Sequence, residues 1–116
     1  MSAPNLLGLT TITPVTWDLP LTNSASDVIA AVTSGHAVLI FELIAANKTA
    51  AAHIVTVYHK KSGTSYEMAY QVSVPANSTF DILEGTRKWL VDGESITALS
   101  DASTQIVITG SGVDCS

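Results

Sequence analysis

The chain has 116 residues, 47% hydrophobic and 13% charged, with five Lys+Arg against ten Asp+Glu and a net charge of −5. That length allows one domain with one core, burying roughly 65% of the surface the unfolded chain would expose. High hydrophobicity with little charge excludes intrinsic disorder, the acidic balance speaks against nucleic-acid binding, and no apolar run reaches the ~18–20 residues of a membrane span.

The first charged residue is Asp18. Before it, Leu6, Leu7, Leu9 and Ile12 are apolar, but Pro4, Gly8 and Pro14 rule out a long helix. Residues 1–16 are therefore expected to form an extended arm, with the domain proper at 17–116. Residues 1–17, fully extended, reach about 55–60 Å. An uncharged apolar arm left in water is a sticky liability, so it either grips a neighbour or folds back as a first edge strand. The segment MSAPNLLGLTTITP has no basic n-region and does not read as a signal peptide.

Short strands then alternate with turn signals. Trp17–Leu21 is one, confined to a sheet edge by Pro20. Asp27–Val32 is a second, and Ser34-Gly35 turns the chain. In HAVLIFELIAA, His36 to Ala46, the apolar residues do not alternate. Strands on either side decide for a strand covered on both faces over a helix. Glu42 and Lys48 keep this run from being a membrane span. Asn47-Lys48-Thr49 and Asn77-Ser78-Thr79 match a glycosylation acceptor pattern but read as turns.

Ile54–Tyr58 is a strand, closed by Lys60-Lys61-Ser62-Gly63. From Ser65 to Val74 the alternation is strict, predicting Tyr66, Met68, Tyr70, Val72 and Val74 on one buried face. Thr79–Leu83 returns, and Trp89-Leu90-Val91 leads through Asp92-Gly93 into Ser95–Leu99. Gln105–Thr109 is the last strand, before a loose Gly110-Ser111-Gly112 tail. About eight short strands at this spacing predict an all-β fold: a single antiparallel β-sandwich, jelly-roll or immunoglobulin-like, with an extended N-terminal arm.

Chemistry is hard to find. His53 and His59 share a strand face but sit about 20 Å apart at ~3.3 Å per residue, too far for one ion. His36, His53 and His59 are expected at the surface, with no metal and no cofactor. Gly110-Ser111-Gly112 is not a nucleophile elbow. Cys115, the only cysteine, cannot form an internal disulfide, suits a reducing compartment and has no activating neighbour in sequence. Asp81 with Glu84, and Asp92 with Glu94, read as solvated turn acids. No enzyme is expected. Arg87-Lys88-Trp89 is the one basic cluster with an aromatic. It is either a sugar- or anion-binding spot or an edge with Trp89 packed inward and the cations facing water.

The stretch Ser73-Val74-Pro75-Ala76-Asn77-Ser78-Thr79-Phe80-Asp81-Ile82-Leu83, with Trp89-Leu90-Val91-Asp92-Gly93-Glu94-Ser95-Ile96-Thr97-Ala98, resembles small β-sandwich virion proteins of tailed bacteriophages. They share a "VPA-x-ST" turn, an "L-x-x-G-[DE]-S-[IL]" turn and a polar ending near a terminal cysteine. The resemblance covers roughly residues 27–116 and supplies no catalytic residues. It implies a structural part of the virion, assembled in the bacterial host cytoplasm. The expected role is a capsid decoration (cement) protein, or else a neck, tail or tail-fibre component contacting host glycans. Its expected partners are the major capsid protein or other virion proteins and further copies of itself, a trimer by preference, with no nucleic acid and no membrane. Leu6, Leu7, Leu9, Ile12, Arg87 and Trp89 are the expected partner-binding residues. The 14 Thr and 13 Ser fit wet interfaces, where hydroxyls bond without the cost of desolvating ions.

Overall fold

A computed structural model describes residues 11–116 as nine strands in two antiparallel sheets, with no helix among the described residues. They are β1 (Ile12–Pro20), β2 (Ser26–Ile29), β3 (Ala37–Asn47), β4 (His53–Lys61), β5 (Thr64–Val74), β6 (Ser78–Asp81), β7 (Lys88–Val91), β8 (Ser95–Ser100) and β9 (Ile106–Cys115). One sheet runs β1-β9-β3, with β6 and β7 sharing the far side of β3; the other runs β2-β8-β4-β5. The expected antiparallel sandwich is present, with Leu21, Ile40, Leu43, Leu90, Ile96 and Ile106 fully buried in its core.

The first strand starts inside the segment assigned to the arm. Ile12 pairs with Cys115 and the register continues unbroken to Pro20 with Val107. Residues 12–16 thus follow the alternative of an edge strand folded back on its own domain. The reason is a period of two: Val15, Trp17 and Leu19 are half-buried while the residues between them are exposed. The remainder of the expected arm, residues 1–10 with Leu6, Leu7 and Leu9, lies outside the described residues.

Two strands depart from their expected patterns for one reason, the β-bulge. In β3 the pairing with β9 slips between Ile40 and Glu42. Burial therefore switches phase, from Val38 and Ile40 to Leu43, Ala45 and Asn47, leaving Phe41 exposed at the slip. The run is a strand that changes phase, not one covered evenly on both faces. In β5 the pairing with β4 slips twice, and Gln71 takes a left-handed φ of 48°. Of the predicted set, Val74 is buried and Met68 and Val72 pack against the core, while Tyr66 and Tyr70 lie 54% and 58% exposed and Ala69 is buried in addition.

The expected glycine tail is the middle of a ten-residue strand. A side chain at Gly110 would come within 2.7 Å of the Glu42 carbonyl oxygen, and one at Gly112 would collide with the Leu39 carbonyl. The Trp17 ring lies across both glycines, 3.3 Å from a Cβ at Gly110 and 3.0 Å from one at Gly112. Only glycine lets the indole seat on β9 at this distance. Further along, Asp92-Gly93 joins strands of different sheets rather than a hairpin; Gly93 has φ 80° and Glu94 N donates to Val91 O at 2.9 Å.

Candidate functional site

The outer face of the β1-containing sheet has its polar rows in the middle and apolar rows towards its ends. The pairing registers align Ile12, Cys115, Ala37 and Val91 in a row across β1, β9, β3 and β7. The next outward row aligns Pro14, Val113, Leu39 and Trp89. Two polar rows follow, Thr16 with Ser111 and Glu42, then Asp18 with Thr109, Ile44 and Asp81, before a final row of Pro20, Val107, Ala46 and Thr79. Ile12 is 68% exposed and Phe41 41%, while Leu39, Trp89, Val91 and Val113 are half-buried. Ala37 and Cys115 are buried, so the Ile12 end offers hydrocarbon from Ile12 and Pro14 and from the half-buried Leu39, Trp89, Val91 and Val113.

Of the expected binding residues, the sheet brings Ile12, Trp89 and Arg87 to this face. Of the two alternatives expected for Arg87-Lys88-Trp89, the edge with Trp89 packed inward is not found, although Arg87 is exposed. Trp89 registers with the outward Leu39, whereas Lys88 registers with the buried Ile40. Leu90, the next inward residue, is the one that fills the core. Arg87 lies over the Phe41 ring at 5.0 Å from its centroid, a cation–π contact that the bulge at Phe41 makes available.

The free side of β1 is short of hydrogen-bond donors. Thr11 and Ser116 exchange two backbone bonds of 2.9 Å, and Leu21 N donates to Ile106 O at 2.8 Å. Odd-numbered residues thus bond to β9, and the even ones turn their nitrogens outward. Both Pro14 and Pro20 fall in that outward set and carry no N–H.

The histidines and acids behave differently from expectation. His36 Nδ1 donates to Asp114 Oδ1 at 2.9 Å, and His53 Nδ1 to Asp101 Oδ1 at 3.0 Å. His59 is buried rather than at the surface, its Nε2 donating to Glu94 Oε1 at 3.1 Å. Glu94 is 3% exposed, so it is not a solvated turn acid. Its Oε1 also accepts from Val91 N at 3.2 Å, which ties the sheet-crossing turn to β4. Among the described residues its Oε2 has no hydrogen-bond partner, with Lys61 Nζ 3.9 Å away. Burial holds the His59 pKa below its ordinary value; the charge on Lys88 acts the same way and the bond to Glu94 opposes both. Asp81 is the turn acid it was expected to be, accepting from the backbone of Leu83, Glu84 and Gly85 at 3.0–3.1 Å.

Asn47 is a bracket rather than a glycan site. It is 1% exposed, and its amide donates to Ala51 O and Val74 O at 2.9 Å. Cys115 is a free, buried thiol. No group of three or more His, Cys, Asp or Glu is placed to hold a metal among the described residues. A groove of about 170 Å³, as polar as it is apolar, is lined by Val15, Trp17, Ile29, Val32, Thr33 and Asp114.

No family model matches the chain, and no curated protein does. Among solved structures it is similar to a protein of Bacillus endospore appendages, described as a novel family of disulfide-linked pili. That likeness covers 100% of this chain and 96% of the other, at a TM-score of 0.58 and 15% identity. Two structures of a pentameric capsid protein from metagenomic phage sequences match at 20% identity and a TM-score of 0.43. They cover 86% of this chain, which spans 61% and 59% of their length. At 15% identity the full-length likeness concerns the fold alone.

Proposed function

We propose that this chain is a structural protein of a bacteriophage virion, a capsid decoration (cement) protein. It works by binding the shell and bridging subunits, not by chemistry. The observation that carries the reading is the apolar group of Ile12, Pro14, Leu39, Trp89, Val91 and Val113 on the outer face of the β1-containing sheet, beside the N-terminal end of β1. The phage resemblance of residues 27–116 supports the same role. Leu6, Leu7 and Leu9, with Ile12 beside them, supply apolar contacts to the major capsid protein or to neighbouring copies, a trimer by preference. Each added contact increases the area buried per shell subunit and so resists pressure from packed DNA. The test is binding of the purified chain to expanded capsids that lack it. The Leu6→Asp/Leu9→Asp variant should lose binding while keeping the wild-type melting curve. Unchanged binding overturns the reading.

The contact of Arg87 with Phe41, on the face that also carries Trp89, favours a second reading. Aromatic rings stack on sugar faces and guanidinium forks to anions, as a neck, tail or tail-fibre component contacting host glycans requires. Glycan-array binding that disappears in Trp89→Ala would move the assignment there.

A further inference from the structure

We infer that the groove beside Trp17 is a binding site for one arginine side chain of a partner protein. The inference stands on the chemistry of the groove and not on the role in a virion. Register builds the site. Thr13, Val15 and Trp17 of β1 pair with Asp114, Gly112 and Gly110 of β9, and Val38 of β3 pairs with Asp114. Side chains alternate along a strand, so these residues share the face turned towards the other sheet. The Trp17 ring reaches from Gly110 over Gly112. Asp114 lies one same-face step further along β9, about 7 Å away. The segment after β2, from Ile29 to Thr33, forms the opposite wall. Buried Ile29, Val32 and Val38 make the floor, while Ala30, Ala31 and Thr33 at the rim are exposed.

The lining carries one charge. Among the described lining residues Asp114 alone is ionisable, and it is half-buried. Among the described residues its hydrogen bond is the one from His36 to Oδ1, at 2.9 Å, which leaves Oδ2 to accept from a ligand. A carboxylate beside an aromatic ring and hydrocarbon calls for a cation on an apolar stem. The volume of about 170 Å³ falls below the ~300–1,000 Å³ of pockets for drug-sized molecules, so the occupant is a single side chain. Arginine fits this better than lysine. Its guanidinium is planar, lies against an indole and donates from several N–H groups at once. Its methylenes then run along Val15, Ile29 and Val32. A sugar ring is the poorer match, since the described lining adds only one hydroxyl, that of Thr33, to the carboxylate. The net charge of −5 favours the approach of a basic partner surface.

Titration of the full chain with N-acetyl-arginine amide, followed by NMR of the two indole N–H signals, tests it. The signal that persists in Trp89→Phe belongs to Trp17. That signal should shift with a dissociation constant of about a millimolar, as one side chain allows. Asp114→Asn should weaken binding about tenfold or more. N-acetyl-citrulline amide, which keeps the shape and loses the charge, should bind as weakly to the native chain. If Asp114→Asn fails to fold by circular dichroism, Ala31→Phe at the exposed rim fills the groove and should abolish the shift. A titration that leaves the Trp17 signal in place overturns the inference. So does a lysine analogue that binds as well as arginine, or methyl glucoside that moves the same signal. Free arginine binding about a hundredfold more tightly than the blocked amide would mark a metabolite pocket and overturn it as well.

Discussion

Strand β1 runs beside β9 for nine residues without a slip in register, whereas β5 slips twice against β4 within eleven. Both are outer strands of their sheets, and an outer strand left regular is a template for unwanted pairing. On β5 the backbone itself is spoiled: the bulges and the left-handed Gln71 twist the edge away from any straight partner. On β1 the backbone stays straight and the donors are removed, by prolines at positions 14 and 20 on the free side. The difference follows from what each strand must do inside the molecule. β1 has to lie flat because Trp17 seats across Gly110 and Gly112, and a bulge there would lift the indole from β9. β5 carries no such anchor and tolerates distortion. With the two long edges closed to strand addition, only the four-residue edges β2, β6 and β7 and the sheet faces remain to meet a partner.

The strongest way to break this contrast is at the seat of Trp17. Gly112→Ala drives a Cβ into the Leu39 carbonyl of a central strand and is expected to cost about 3 kcal/mol or more, measured by urea unfolding. A cost below ~1 kcal/mol would mean that β1 does not depend on close approach to β9. Next in size is the edge. Pro14→Thr with Pro20→Thr restores two outward donors to a straight strand. Light scattering should then show concentration-dependent association beyond that of the native chain, while the same scattering from the native chain would show that the prolines guard nothing.

Acid should loosen the β4–β5 side. The His59 pKa is lowered on folding, so the unfolded chain binds that proton more readily between the lowered value and 6.5. Stability therefore rises with pH across that window and is lost as pH falls through it. Tm should drop between pH 7 and pH 5, and less steeply in His59→Gln; parallel profiles for the two proteins would remove His59 from the account. The smallest effect is expected at the bulge: Gln71→Gly relieves the left-handed φ and should stabilise by about 0.5–1 kcal/mol in denaturant titration.

Much of this architecture is legible in the residues, and the failures have a common cause. Turn chemistry at Ser62-Gly63, Asn77-Ser78 and Asp92-Gly93 separates the strands correctly. What periodicity cannot register is an inserted residue. Tyr70 sits in the cleanest alternation of the chain, yet a bulge that no residue type announces (Gln is not a turn former) takes it out of the buried set. Gly110 and Gly112 do carry a signal, two glycines at strand spacing, but its meaning depends on Trp17 more than ninety positions away. The same distance hides the candidate face. Ile12, Leu39, Trp89 and Val113 come from four separate segments and become neighbours only through register. The buried pair of His59 and Glu94 is concealed likewise, since each residue alone reads as surface.

The place of β9 between β1 and β3 also sets an order in time. During synthesis the first and third strands emerge early but have no hydrogen bonds to make with each other, because the strand that separates them is the ninth. The sheet that carries the apolar rows cannot close until residues 106–115 have left the ribosome, so its surface is assembled last. Pairings this distant along the chain place refolding in the millisecond-to-second range typical of sandwiches. A chain released before that strand is complete leaves Trp17, Ile40 and Leu43 without the strand they pack beside.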